Sequence, residues 1–146
     1  MIVDTSIIVA LAAREASCVW IHRAFEAHPH ERLRMSWVNI AEAGMVLERA
    51  TGGASVELEG ALRALGVEAL EVDFQILGAA IGARSRFPLN FGDCFAYAHA
   101  SLRREPLMTL DEDFLSSDLQ TVVHPKRWPV AERVSARKPA RRKLPR

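Results

Sequence analysis

Four places along the chain put acidic side chains where carboxylates could act together. Asp4 follows the apolar opening Met1-Ile2-Val3. Glu42 lies inside an otherwise apolar helical segment. Asp93 follows Gly92 and leads into Cys94-Phe95-Ala96-Tyr97-Ala98. Asp111 and Asp113 follow the apolar stretch 106–110. A single Asp before a helix is ordinarily a cap. Several acids at comparable positions call for more, because gathered carboxylates repel unless a cation lies between them or some are protonated. An oxygen-only donor set suits a hard divalent cation such as Mg²⁺ or Mn²⁺, and the chemistry that follows is metal-assisted hydrolysis, which needs no Ser, Cys or His nucleophile. The two cysteines, Cys18 and Cys94, and the five histidines form no metal-ligand spacing. Both thiols read as free and buried, and His99, between two alanines, reads as structural.

The elements that must bring the acids together alternate. Strands are expected at 2–3, 33–37, 67–72, 106–110 and 120–123. Helices are expected from residue 7 to 25 with a break near 15–17, then at 38–50, 55–65, 73–81 and 93–103, with 84–90 as a loop. Strand–helix alternation predicts an α/β fold with a largely parallel central sheet of about four to five strands flanked by helices. Ligands of such sheets bind outside the carboxyl ends of the strands. Asp4 and Asp111 each come just after a strand, which puts both on that edge, and Asp93 at a helix start can join them.

A chain of 146 residues predicts one domain. We place it at 1–125, followed by a basic, flexible C-terminal tail over 126–146. Residues 131–146 hold seven Lys or Arg and one acid. The remainder keeps twelve of the nineteen basic and seventeen of the eighteen acidic side chains, a formal charge of −5. An acidic body with a basic arm suits a site that collects cations beside a segment that touches phosphates, although short basic ends are also simply solubilising. No apolar run is long enough to span a bilayer. The start lacks a basic n-region, and Asp4 interrupts its apolar character, so the expected location is cytoplasmic, with no membrane partner. A phosphatase or receiver-like α/β domain would need a partnering lysine, and Lys126 is the only lysine before residue 138.

Taken together, Met1-Ile-Val-Asp4-Thr5-Ser6, Asn39-Ile-Ala-Glu42, Asn90-Phe-Gly-Asp93-Cys-Phe-Ala-Tyr-Ala and Thr109-Leu-Asp111-Glu-Asp113-Phe114 resemble, in order and spacing, a PIN-domain ribonuclease of the VapC toxin type. The resemblance covers about residues 1–125. It implies a PIN-like (Rossmann-like) domain and metal-dependent cleavage of RNA, tRNA or another structured RNA, with Mg²⁺ or Mn²⁺. The acids it implies as catalytic are Asp4, Glu42, Asp93 and Asp111, the same four holding metal, with Asp113 a fifth; whether Asp111 or Asp113 faces the metal is open. Thr5 or Ser6 would support the first carboxylate. Arg84, Arg86, Lys126 and Arg127 are the candidate RNA contacts. The resemblance further implies a VapB-type antitoxin and a homodimer. Trp20, Phe25, Val46 and Leu47 on the first helices are candidates for the partner surface, or else core. Two other readings stand beside this one: a PIN-like nuclease in RNA processing or DNA metabolism outside toxin–antitoxin systems, and a non-catalytic RNA-binding module. A mere binder of phosphate has no use for a carboxylate cluster.

Overall fold

The structure, a computed structural model, describes residues 1–52 and 54–128; the expected tail lies, from residue 129 on, outside the described residues. Five short parallel strands form one sheet in the order β3-β2-β1-β4-β5: β1 (Ile2–Val3), β2 (Arg34–Ser36), β3 (Glu68–Leu70), β4 (Leu107–Met108) and β5 (Val122–Val123). Ile2 lies opposite Leu107 and Val3 opposite Met108. All pairings are parallel, so every strand ends on the same edge of the sheet.

Strand side chains alternate between faces, and two cores follow from that period. Val3, Met35, Met108 and Val123 face a layer made by α1 (Thr5–Ala12), α2 (Cys18–Ala27), α3 (Trp37–Thr51) and α4 (Ala54–Ala64), packing on Ile7, Ile8, Ile21, Ala43 and Leu47. Ile2, Leu70, Leu107 and Val122 face the other layer, of α5 (Phe74–Arg86) and α6 (Phe91–Arg103), packing on Ala80, Ala83, Leu89, Phe95 and Phe114. The result is a three-layer helix–sheet–helix sandwich, the class expected from the alternation.

Several boundaries differ from the sequence reading, each for a local reason. The break between α1 and α2 is real, and Arg14 takes it in the left-handed region at φ 54°. Trp37 does not extend β2 but opens α3, because the Ser36 side chain accepts from the Val38 N–H and caps the helix. Residues 84–86 are not loop but the last turn of α5, where their positive charges suit the helix C-terminus. α6 starts at Phe91 rather than Asp93, since Asn90 is its cap, so Gly92 lies inside the helix. Leu47 is fully buried in the core, and Trp20 and Phe25 pack against it, so of the four candidates for a partner surface only Val46 stays exposed. Cys94 is buried, whereas Cys18 is half-exposed. The body also continues past residue 125. Trp20 donates to the Trp128 carbonyl at 3.0 Å, and the Trp128 ring lies 5.0 Å from that of His28.

A candidate metal centre at the carboxyl edge of the sheet

β1 and β4 are neighbours, but the chain leaves them toward opposite sides of the sheet, β1 toward β2 and β4 toward β5. This is the switch point at which an open parallel sheet leaves a crevice. Asp4 follows β1 and caps α1. Asp111 follows β4 and caps a single 3-10 turn, Glu112–Ser116, its side chain accepting from the Asp113 N–H at 2.9 Å. The sequence places these two acids on one edge, and strand order makes them adjacent.

Hydrogen bonds hold the two strand ends together. Ser6 donates from both its N–H (3.1 Å) and its hydroxyl (2.6 Å) to Asp4 Oδ1, and the same hydroxyl accepts from the Leu110 N–H at 2.9 Å. Thr109 donates its hydroxyl to Asp4 Oδ2 at 2.8 Å and accepts from the Asp111 N–H at 2.9 Å. A carboxylate oxygen offers two lone pairs. Both on Oδ1 are therefore taken, and one remains on Oδ2. Asp4 is 1% exposed. Burial raises its pKa to about 6; the Ser6 and Thr109 hydrogen bonds oppose that rise and the Asp111 charge adds to it.

Asp93 arrives on α6 as half of a capping box. Its N–H donates to the Asn90 side chain at 2.9 Å, and its Oδ2 accepts from the Asn90 N–H at 3.2 Å. Oδ1 is unengaged. A helix N-terminus favours a carboxylate, yet the pKa of Asp93 is pushed up to about 7. Burial is the main cause, the Asn90 N–H works against it, and the charges of Asp4, Asp111 and Glu42 add to it. Glu42, in the second turn of α3, is half-buried and receives the Thr5 hydroxyl. One carboxylate oxygen from each of Asp93, Asp111 and Asp113 lies within 4.8 Å of the others. Among the described residues none of the five acids forms a salt bridge with Lys, Arg or His.

The candidate RNA-contacting residues are engaged by other groups of the protein, and the partner of Lys126, Glu112, stands between Asp111 and Asp113. Arg84 donates to the Leu89 carbonyl, Arg86 pairs with Asp118 at 2.6 Å, Lys126 pairs with Glu112 at 2.6 Å, and Arg127 donates to the Leu115 carbonyl at 2.6 Å. Two residues to which the sequence reading gave no role stand inside the site. Thr109 couples the β1 and β4 ends, and buried Asn39 donates to the Gly92 carbonyl at 2.9 Å. Their signal was position: Thr109 two residues before Asp111, and Asn39 one helical turn before Glu42 on an apolar helix.

An all-carboxylate set with no protein cation paired to it among the described residues, two of its members pushed up toward neutrality, fits a divalent metal ion. The alternative balance is partial protonation.

Comparison with known proteins agrees with the fold and extends it. The family model of the PIN domain matches residues 1–118. A VapC ribonuclease of Mycobacterium bovis (Mb0640) and ribonuclease VapC30 of Mycobacterium tuberculosis are each 35% identical to this chain over 133 residues, covering 86% of it and all of the relative. The crystal structure of Mycobacterium tuberculosis VapC20, described as a sarcin–ricin loop cleaving toxin, superposes with a TM-score of 0.68 at 22% identity, over 81% of this chain and 95% of that one. A toxin–antitoxin complex from Klebsiella pneumoniae gives 0.65 at 23% identity, over 85% and 96%.

Proposed function

The chain belongs to the PIN domain family, and within it to the VapC ribonucleases, and from that premise we propose that it is the toxin of a VapB–VapC pair, a metal-dependent endoribonuclease. The observation that carries this reading is the uncompensated carboxylate edge, with Asp93 held near neutrality by burial and by its acidic neighbours.

In this reading Asp93, Asp111 and Asp113 hold the ion, with Asp4 and Glu42 completing the acidic wall, and all five acids are catalytic. The donors are carboxylate oxygens only, which favours Mg²⁺ or Mn²⁺ over zinc. When bound, such an ion neutralises charge on the phosphodiester and lowers the pKa of water. The protein's own residues hold the wall in shape. Ser6 and Thr109 keep Asp4 from turning away, so that it presents one lone pair. The Asn90 N–H fixes Asp93 Oδ2 and leaves Oδ1 free. Thr5 anchors Glu42. Without a cation this edge repels RNA phosphates, so substrate binding and metal loading are coupled.

The substrate in this reading is a structured RNA such as tRNA, and the enzyme acts in the cytoplasm. The VapB-type antitoxin is assigned the apolar groove along α3 and α4 that includes Trp37, Ile40, Met45 and Leu58. A homodimer contact is assigned to the exposed strip Phe74, Leu77, Ile81 and Phe91 on α5 and α6. The deciding experiment is cleavage of total tRNA by the purified chain with Mg²⁺, Mn²⁺ or EDTA, beside Asp93→Asn. Fragments that need metal and vanish in the variant support the reading. Cleavage by a well-folded Asp93→Asn at the unsubstituted rate would sink it.

A further inference from the structure

We propose that Asn39 is a positioning residue, whose buried carboxamide locks the first turn of α6 against α1 and α3 and so sets the separation of Glu42 from Asp93. The inference rests on the metal-dependent reading above.

Asn39 is fully buried in the first turn of α3. Its Nδ2 has two hydrogens, and both have acceptors: the Gly92 carbonyl at 2.9 Å and Thr5 Oγ1 at 3.4 Å. The Thr5 hydroxyl donates in turn to the Glu42 carboxylate and lies 3.3 Å from the Asn39 carbonyl. One side chain therefore ties together the three helices that carry Asp4, Glu42 and Asp93. It acts where tolerance is small. A Cβ added to Gly92 would stand 2.6 Å from the Glu42 carboxyl carbon. The α6 backbone and the Glu42 side chain are thus as close as a glycine allows, and a shift of the first turn of α6 moves Asp93 relative to Glu42.

Packing does not account for the amide. Asn39 Oδ1 is buried and has no partner among the described residues. Leucine is of similar size and would carry no orphaned acceptor of its own, but it would leave the buried Gly92 carbonyl without its donor, at a cost of about 1–3 kcal/mol. What only the amide supplies is the pair of donors aimed at Gly92 and Thr5. Residues that orient carboxylates from behind commonly change metal affinity or activity by about 10–100-fold when removed.

The test uses the full chain, with Mn²⁺ as the probe, followed by electron paramagnetic resonance of the free ion. Thermal melts in EDTA, and kcat and KM on RNA, are measured in parallel. Asn39→Leu is expected to melt about 2–12 °C below the unsubstituted protein while staying folded at the assay temperature, to bind Mn²⁺ about 10–100-fold more weakly, and to lose kcat/KM by a similar factor at a Mn²⁺ concentration that half-saturates the unsubstituted protein. Hydrogen exchange at the Asp93 and Cys94 amides should quicken in the metal-free variant. Asn39→Ser, which keeps one donor, should fall between. Mn²⁺ binding and amide exchange in both variants equal to those of the unsubstituted protein would overturn the positioning role alone. Activity and Mn²⁺ binding that fall only in proportion to the unfolded fraction at the assay temperature would assign Asn39 to packing instead. Failure of the unsubstituted protein to bind Mn²⁺ at all would overturn the metal-dependent reading and this inference with it.

Discussion

The two edges of the sheet treat carboxylates in opposite ways. At the edge where the strands begin, Glu105 lies among cations: the Met1 α-ammonium at 3.0 Å, Arg34 at 2.9 Å and Arg103 at 2.8 Å. Burial alone would raise its pKa, but the hydrogen bonds and charges of these groups hold it down at about 2. At the edge where the strands end, Asp4 and Asp93 meet, among the described residues, hydroxyls, amides and other acids, and they rise to about 6 and about 7. The fold can neutralise an acid cluster with its own side chains and does so at one edge. Leaving the other uncompensated costs stability, and the cost makes sense where an ion from solution is meant to complete the cluster.

The sharpest way to break this contrast is to neutralise one acid at the carboxyl edge. Asp93→Asn should lower the cleavage rate by about 10³-fold or more, if the ion supplies several kcal/mol to the transition state. The same variant should melt no lower than the unsubstituted protein in EDTA at pH 8. A clear fall in melting temperature would mean that Asp93 is structural. At the other edge the balance reverses. Glu105→Gln should cost about 2 kcal/mol of stability, the scale of a hydrogen bond to a charged group, measured by urea unfolding, with cleavage per folded molecule unchanged.

Acidity sharpens the comparison further, and the signs differ. Asp4 and Asp93 titrate higher in the folded chain than the ordinary 3.8. Their contribution is present below about pH 4 and is lost as pH rises through about 6 and 7. Glu105 titrates lower than its ordinary 4.5. Its contribution is present above about 4.5 and is lost as pH falls toward about 2. Metal-free protein should therefore melt highest near about pH 4, where the two windows meet, and lower at pH 8. Mn²⁺ should restore the loss at pH 8 and do little at pH 5, where protons compete for the same oxygens. A melting temperature in EDTA that climbs steadily from pH 5 to 8 would contradict the contrast. The smallest effect belongs to the surface. Lys126→Ala breaks only the exposed pair with Glu112 and should shift the melting temperature by about 1 °C or less in a thermal scan.

Much of the fold was legible because short apolar strands and capped helices leave periodic traces. Asp4 and Asp111 could be placed on one edge because each directly follows a strand of a parallel sheet. Other features were not legible, for reasons particular to each. Polar side chains at 84–86 look like loop but serve a helix C-terminus. Asn90 and Asp93 are both good cap residues, and only the reciprocal bonds of the capping box decide which one begins α6. Thr109 and Asn39 acquire roles only through pairing across the sheet and between helices, which no local window contains. Asp113 comes within reach of Asp93 because Asp111 turns the chain into a 3-10 helix.

The hydrogen bond from Thr109 to Asp4 joins residues 105 positions apart. On a ribosome adding about 5–20 residues each second, Asp4 must wait roughly 5–20 s before Thr109 has even been joined to the chain. Asp93 comes 16 residues before Thr109 and Asp111 two after it. The site has no local version, and no early folding fragment contains more than Asp4 and Glu42. A nascent chain with this order of parts cannot cut RNA before Asp113 has been added. The interval before competence is written into the topology, and it is a window in which a binding partner made alongside can be present before the first active molecule is complete.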